Sequence, residues 1–390
     1  MARQPPDDAP ARPSLPTIAR HWGRIGCVGF GGPPAHIALL RDLCVDRKRW
    51  LTPREFEDAI AACNLLPGPA STQLAIFSAW RVGGPLGAVV GGAAFILPGL
   101  VLILALAALF LAAAPPTWVL GAGAGAGAAV AAVAVRAGTD LIRPSVTRAT
   151  ARWRWILYAL LGAAAAATLG PWLVLVLLGC GLTEIAFQMP MSSSDGLAKF
   201  WPVIAGTATT AAAGGLLAVV WVALKVGALS YGGGFVIIPL MQADAVHRYH
   251  WMTSTQFLNA VALGQVTPGP VVQTVAVVGY AAAGVGGGLL AALVAFTPSF
   301  VFVLVGASHF GRLRDNARAR AFLNGAGPAA IGAIIGVAVP LGLALQQPWQ
   351  LAILAAAAIA LFPLRRPVVL TLIAAGIIGA VAAQLGAPLP

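Results

Sequence analysis

The stretch Leu65–Gln73 reads Leu-Leu-Pro-Gly-Pro-Ala-Ser-Thr-Gln and interrupts an otherwise apolar segment. A related stretch, Val266–Gln273, reads Val-Thr-Pro-Gly-Pro-Val-Val-Gln. Pro-Gly-Pro cannot continue an α-helix, because each proline lacks a backbone donor and glycine adds conformational freedom. Inside a membrane, a broken helix is tolerated only where protein or a watery cavity satisfies the freed polar groups. Two such breaks at matching places in two halves of a chain are typical of the binding site of a transporter.

The composition of the 390-residue chain is that of a membrane protein. Hydrophobic residues make up 59% of it and charged residues 9%, whereas a soluble domain carries about 25% charged residues. Apolar runs of membrane-spanning length recur along the chain, without the short alternating strands of a β-barrel. We therefore expect an all-α polytopic membrane protein with about nine to twelve helical segments. The polar, proline-rich residues 1–20 are expected to form a disordered cytoplasmic tail and do not resemble a cleavable signal peptide.

The charge balance favours an anion as the transported ligand. The net charge is +12, from 24 basic and 12 acidic residues. The basic residues lie in short loops between apolar segments and act as topology signals, so we expect no nucleic-acid partner. After residue 200 the acidic residues are Asp244 and Asp315 alone, whereas cation transporters usually bury carboxylates. The sequence contains no CxxC pair and no haem, zinc or nucleotide motif, so we expect no metal, no cofactor and no enzymatic activity.

The chain contains an internal duplication. A shift of 201 residues aligns the two Pro-Gly-Pro elements, and 15 of the 46 positions from 24 to 69 are identical to their counterparts. After one gap, a shift of 200 aligns Pro98 with Pro298. A helix-start signal recurs as well, in which a threonine N-cap precedes Glu55 in one half and Gln256 in the other. The predicted organisation is a first transmembrane repeat at 21–188, a linker at 189–199 and a second transmembrane repeat at 200–390.

The loop charges predict that the two repeats have inverted topology. The loop at 114–116 is neutral, whereas its counterpart at 307–325 contains four arginines; the next loop reverses the bias, with five arginines at 136–154 and no charge at 346–350. Because lysine and arginine stay cytoplasmic, equivalent loops lie on opposite sides of the membrane. Inversion needs an odd number of crossings between equivalent points, and the apolar run Phe200–Leu224 is expected to supply the extra one. Broken or re-entrant helices are expected at both Pro-Gly-Pro elements.

The candidate substrate site lies at the paired breaks. A helix that restarts after Pro-Gly-Pro exposes free N–H groups and the positive end of its dipole, which together bind anions. Glycine runs ahead of each break permit close backbone approach, and a cation two turns earlier is able to pair with a divalent anion. The candidate residues are Arg24, Gly31, Gly32, Asn64, Pro67, Gly68, Pro69, Ser71, Thr72 and Gln73 in the first repeat, and Lys225, Gly232, Gly233, Gln265, Thr267, Pro268, Gly269, Pro270, Gln273 and Thr274 in the second.

Each feature also has a purely structural interpretation. The breaks are then kinks in packed helices, and the glycine runs are sites of close helix packing. The two cations snorkel to the membrane interface. The hydroxyl and amide side chains satisfy backbone groups freed by the break. Glu184 is either a proton carrier or a residue at the cytoplasmic edge.

The motifs resemble the chromate ion transporter (CHR) family of bacterial membrane proteins in its long, two-domain form. The resemblance rests on the combination of residues 30–37, 231–240, Arg49-Trp50-Leu51-Thr52, both Pro-Gly-Pro elements and Arg312-Leu313-Arg314. One departure is Pro33, where the family pattern has a third glycine. The resemblance implies export of chromate, driven by the ion-motive force, across the inner membrane, with the N-terminus in the cytoplasm. Sulfate or another anion is the alternative substrate, and the sequence leaves open whether the chain acts as a homodimer.

Overall fold

The protein is helical throughout the part of the chain that its structure describes. The structure, a computed structural model, describes residues 13–64, 66, 68–147, 149–169, 172–188, 215–230, 236–306 and 316–390. The first-half helices are α1 (Leu15–Val28), α2 (Pro33–Arg41), α3 (Pro53–Cys63), α4 (Ala70–Phe110), α5 (Thr117–Val146), α6 (Arg152–Thr168) and α7 (Leu173–Gln188). The second-half helices are α8 (Leu216–Leu229), α9 (Ile237–Gln242), α10 (Ser254–Val266), α11 (Thr274–Gly306), α12 (Ala317–Gly336), α13 (Ala338–Leu343), α14 (Pro348–Leu361) and α15 (Val368–Gln384).

The two halves repeat the same order of elements. Helix α1 corresponds to α8, and α2 and α9 each end in a six-residue π-helical turn, at Asp42–Arg47 and Ala243–Arg248. Both predicted helix starts are present, because the Thr52 and Thr253 side chains each form a reciprocal capping box. Twelve of the described helices have at least ten residues when α4 and α11, which each contain a chain reversal, are counted once. The duplication inferred from the sequence is thus also a duplication of local structure.

The long helices α4 and α11 each contain a chain reversal. Gly84 and Gly284 have φ values of 67° and 62°, a left-handed backbone conformation that favours glycine. Beyond Gly84 the chain folds back on itself, so a Cβ atom at Gly87 would lie 2.6 Å from the carbonyl oxygen of Ala79. In a straight helix, residues eight positions apart are about 12 Å apart. Helix α4 is therefore two helices, at 70–83 and 85–110.

The first Pro-Gly-Pro element lies at the tip of a helical hairpin. Helix α3 leads to the tip, and the first part of α4 returns from it. The side chains of Glu55, in the first turn of α3, and Arg81, near the reversal in α4, form an ion pair at the base of this hairpin. The broken helices predicted at both elements are confirmed, since α3 and α10 end before them and α4 and α11 begin after them.

The halves interlock rather than forming separate bundles. Helices α4 and α11 pack against each other, α5 packs on α14 and α15, and α12 packs on α6 and α7. Glycines allow this close approach: a Cβ atom at Gly125 would lie 2.2 Å from the Ala375 carbonyl oxygen, and one at Gly332 would lie 1.8 Å from that of Ala159. Each half therefore completes its core with helices of the other.

The exterior is apolar, as a lipid environment requires. Among the described residues, the segments 70–110, 117–146, 271–306 and 317–343 are long and apolar enough to cross a membrane. Large apolar side chains on the segment 271–306 are exposed, with Leu293 and Val305 at 69% and 72%. The protein is an all-α, multi-pass membrane protein.

One sequence expectation needs correction, and a second lies largely outside the described residues. Helix α1 begins at Leu15, inside the predicted disordered tail 1–20, because Ile18 and Trp22 are buried in the core. Helix α8, which begins within the run Phe200–Leu224, corresponds to α1, and the extra crossing expected from that run stays a prediction. Residues 1–12, the remainder of that run at 200–214 and the predicted linker 189–199 lie outside the described residues.

Candidate anion-binding site

The second Pro-Gly-Pro element is packed directly against the first half. The amide of Gly269 donates a hydrogen bond to the carbonyl oxygen of Gly29, at 3.0 Å. The carbonyl oxygen of Pro268 lies against α4, where a Cβ atom at Gly99 would come within 2.1 Å of it. The described residues from Thr267 to Gly279 are all buried. This break therefore has no free surface in the observed conformation.

A buried histidine links the second break to the helix that follows the first. His36 is fully buried, and its Nε2 atom lies 2.9 Å from the carbonyl oxygen of Gly29, the same oxygen that Gly269 contacts. Since a carbonyl oxygen only accepts, Nε2 carries the proton, and in the neutral ring Nδ1 accepts from Ser71 Oγ at 3.2 Å. A continuous chain of bonds therefore joins Gly269 to Ser71. The site prediction did not include His36, although it stands in the first glycine motif.

The first Pro-Gly-Pro element borders a cavity of about 570 Å³ that is partly open to solvent. Gly68, with φ of 117°, lines it together with Asn64, the last residue of the preceding turn, and Ala70, the first residue of α4. The amide of Gly68 has no backbone acceptor among the described residues, in contrast to that of Gly269. Pro67 lies outside the described residues, and Pro69 is buried as the N-cap of α4.

The opposite wall of the cavity comes from α12 and from the α5–α6 connection. Arg320 and Asn324 of α12 line it, with Ser145 and Trp155 opposite. The indole N–H of Trp155 donates to Ser145 Oγ at 2.9 Å. Among the described residues that line the cavity, Arg320 alone is charged. The site prediction did not include Arg320 and Asn324. An alignment of the two repeats gives one signal for these two residues, because the equivalent positions in the first repeat are a leucine and an alanine.

Several polar atoms near the breaks are buried without a hydrogen-bond partner among the described residues. They include two predicted donors, Thr72 Oγ1 just after the first break and Gln265 Nε2 just before the second, and also Ser299 Oγ, which the sequence prediction did not include. Ser299 is close to the first break, because a Cβ atom at Gly68 would lie 3.3 Å from its hydroxyl oxygen. Buried polar groups are rarely left unpaired in proteins. Their concentration at the breaks supports a polar ligand there.

Other predicted residues of the second repeat satisfy the backbone. The hydroxyls of Thr267 and Thr274 donate to Leu263 and Val271 carbonyl oxygens, both at 2.8 Å. Gln273 Nε2 donates to the Ile96 carbonyl oxygen of α4, at 2.8 Å. Pro270 is buried at the N-cap of the short turn before Gln273, and in the first repeat Gln73 is buried in α4.

The predicted cations and glycine runs lie in different environments. Lys225 forms an ion pair with the buried Asp244 and lies over the Trp221 ring. Arg24 is exposed and has no acidic partner among the described residues. Neither cation lines the cavity. Gly31 and Gly32 have positive φ values of 99° and 74°, whereas Gly232 and Gly233 lie outside the described residues.

Glu184 is held in a polar cluster at the end of α7. Its carboxylate accepts hydrogen bonds from Tyr158 and Thr150, both at 3.1 Å, and from Gln188 at 2.7 Å. Arg154 forms an ion pair with it at 3.3 Å. This cluster joins α6 to α7 beside the arginine-rich connection 136–154.

Comparison with known families agrees with this architecture. The family described as chromate transporter matches residues 16–185 and 217–380 of the chain. The chain belongs to the chromate transporter family. The two matched stretches begin at equivalent positions of the two halves, so the family unit occurs twice.

Individual relatives cover most of the chain. The chromate transport protein of Cupriavidus metallidurans is 31% identical over 353 residues, which are 87% of each chain. The chromate transport protein of Pseudomonas aeruginosa is 29% identical over 333 residues, 82% of this chain and 79% of the relative. An uncharacterized transporter of Methanocaldococcus jannaschii is 23% identical over 354 residues. No solved structure matches the chain.

Proposed function

We propose that this protein is a secondary active transporter that exports chromate from the cytoplasm across the bacterial inner membrane and so confers chromate resistance. The observation that carries the proposal is the pair of Pro-Gly-Pro breaks, one of which lines a cavity while the other is packed shut. Family membership and the names of two relatives support chromate as the substrate. A transporter in this family acts by moving its substrate rather than by catalysing a reaction.

The two repeats are inverted in this proposal. Contacts between the equivalent helices α4 and α11 run antiparallel: a Cβ atom at Gly92 would meet the Phe300 ring at 2.6 Å, and one at Gly288 would meet the Leu104 side chain at 2.5 Å. A two-fold axis in the membrane plane produces this arrangement. Together with the loop arginines, it supports cytoplasmic placement of the N-terminus and of the connections 136–154 and 307–325.

Substrate binding uses the helix ends at the breaks. The N-terminus of α4 presents the amides of Ala70 and Ser71, which have no backbone acceptor among the described residues, and the positive end of a dipole. Both favour an anion without a charged side chain. Thr72, Gln265 and Ser299 supply polar atoms without a hydrogen-bond partner in the described part of the chain. The wider candidate set from both repeats stays a proposal, with Lys225 already neutralised by Asp244.

The cavity beside the first break faces the cytoplasm in this proposal, and the second break is closed to the other side. Both arginine-rich connections border the cavity, through Ser145 of one and Arg320 of the other. Transport then requires the contacts of Gly269 with Gly29 to open while the first break closes. This is alternating access between two inverted halves.

Uptake of radiolabelled chromate by inside-out vesicles tests the proposal. Cells that express the chain should give vesicles with energised uptake well above that of vesicles from cells without it. No uptake above this control, with membrane insertion verified, would overturn the proposal.

Sulfate is the second candidate substrate, because it is also a tetrahedral dianion and the same donors suit it. Competition in the same vesicles separates the two. Chromate export is supported if excess sulfate competes weakly, and a sulfate transporter is indicated if sulfate competes far more strongly than chromate itself.

A further inference from the structure

The cavity beside the first break has the electrostatic character of an anion site. Of its described lining residues, Arg320 is the single charged one, and none is acidic. We propose that Arg320, with the amides of Asn324 and Asn64, forms the site that loads the oxyanion from the cytoplasm; this assignment rests on the proposed function. It replaces Arg24 and Lys225 as the countercharge of the substrate.

Arg320 is available to bind a ligand. Its guanidinium has no ion pair or side-chain hydrogen bond among the described residues, whereas Arg154 and Lys225 are paired with buried carboxylates. Arg320 also lies near the start of α12, which is capped by Asn316. Helix N-termini favour negative charge, so an unpaired cation is unfavourable at this position. A bound dianion would neutralise the Arg320 guanidinium at this position.

Donors approach the cavity from three directions. Asn324 follows Arg320 by four residues, so both side chains lie on the same face of α12. Asn64 enters from the end of α3. The amides of Gly68 and Ala70, which have no backbone acceptor among the described residues, enter from the start of α4. A tetrahedral ion accepts hydrogen bonds in several directions, whereas a planar carboxylate presents two oxygens. The arrangement therefore suits a tetrahedral oxyanion.

The equivalent positions around the second break contain no cation. By the 200-residue shift, Leu120 and Ala124 occupy the positions of Arg320 and Asn324. The carbonyl oxygen of Ala124 accepts from Gln350 Nε2, at 3.2 Å. The equivalent of Asn64 is the buried Gln265. The transporter therefore has one loading site, on the side where the first break opens.

Initial rates of chromate uptake by inside-out vesicles test this assignment. Arg320→Gln should raise the KM for chromate by about tenfold or more, because a charge-assisted hydrogen bond to the ion is lost. Arg320→Lys should give a smaller increase, since it keeps the charge and loses the bidentate fork. Arg318→Gln is the matched control, because it removes the same charge in the same turn outside the cavity lining, and its KM should stay within about twofold of wild type.

The possible outcomes separate this inference from the proposed function. If the wild-type protein fails to transport chromate, the proposed function fails. If the wild type transports and Arg320→Gln has an unchanged KM, the loading site is wrong and the function stands. If Arg320→Gln fails to insert, Asn324→Asp decides, since a carboxylate at this point should raise the KM at least tenfold by repelling the dianion, and an unchanged KM would overturn the inference.

Discussion

The two Pro-Gly-Pro elements share a sequence and differ in their surroundings. The first lines a cavity of about 570 Å³, and Gly68 leaves its amide without a backbone acceptor among the described residues. The second is buried, and Gly269 donates to Gly29 of the opposite half. Within one conformation, one Pro-Gly-Pro element is thus accessible from a cavity and its equivalent is not. The difference indicates that access to each element is set by the contacts it makes with the other half of the protein.

The strongest test of this comparison exchanges the residues against which the tips pack. Gly99→Ser gives α4 the residue that α11 carries at Ser299, and its Cβ atom would lie 2.1 Å from the Pro268 carbonyl oxygen. We expect loss of transport and a decrease in the free energy of unfolding of about 1–3 kcal/mol or more. SDS-induced unfolding in mixed micelles and vesicle uptake measure the two effects.

The reciprocal change is the matched control for this exchange. Ser299→Gly removes a hydroxyl that has no hydrogen-bond partner among the described residues, and its effect on the free energy of unfolding should stay within about 1 kcal/mol. Equal changes in the free energy of unfolding for the two variants would show that both Pro-Gly-Pro elements are packed alike, which would contradict the observed asymmetry.

Removal of a proline from either tip should impair function more than folding. Pro67→Ala and Pro268→Ala each restore a backbone donor and relax the break, which alters the exposed helix end. We expect chromate uptake to fall several-fold while the amount of protein in the membrane changes less. Quantitative blotting measures the amount of protein in the membrane, and vesicle uptake measures transport. Full transport by both variants would mean that the breaks serve only helix packing.

The bonds of His36 account for part of the closure of the second tip. His36→Leu removes its contacts with Gly29 and Ser71, so the free energy of unfolding should fall by about 1–3 kcal/mol. Ser71→Ala removes one of these contacts and should have a smaller effect. A thiol placed at Gln265 should also become more reactive in the His36→Leu background. An unchanged reactivity would mean that the histidine does not help to close the tip.

The smallest effect is expected at the base of the first hairpin. Glu55→Gln removes the exposed ion pair with Arg81 and should lower the free energy of unfolding by less than about 1 kcal/mol, with the difference vanishing at high salt. The second hairpin has Gln256 at the equivalent position and no such pair, so Gln256→Glu should leave stability unchanged. A large effect of Glu55→Gln at high salt would show that the carboxylate does more than pair with Arg81.

Sequence reasoning reached the features that are encoded locally. The capping boxes at Thr52 and Thr253, the breaks at Pro-Gly-Pro and the apolar segments after them depend on neighbouring residues, and the structure contains all three. The tail boundary was wrong, because Ile18 and Trp22 form a helix through burial in the core, which polar and proline-rich neighbours conceal.

The cavity and the tip contacts depend on how the halves meet. Arg320 reaches the first break only because α12 packs on first-half helices, and Gly99 matters only because Pro268 of the other half lies on it. In the sequence, an arginine in a loop is interpreted as an indicator of membrane topology and not as a ligand-binding residue. A position-by-position alignment of the repeats would have drawn attention to Arg320, because the equivalent residue in the other repeat is a leucine.

Cysteine accessibility tests the unequal access of the two breaks most directly. Asn64→Cys and Gln265→Cys occupy equivalent positions, and each is introduced singly after replacement of the four native cysteines, in a background that retains transport. Inside-out vesicles are then treated with a membrane-impermeant thiol reagent, and labelling after denaturation verifies that both thiols are intact. We predict rapid labelling at position 64, slowed by chromate, and protection at position 265. Equal labelling at the two positions, or labelling at 265 alone, would contradict the account.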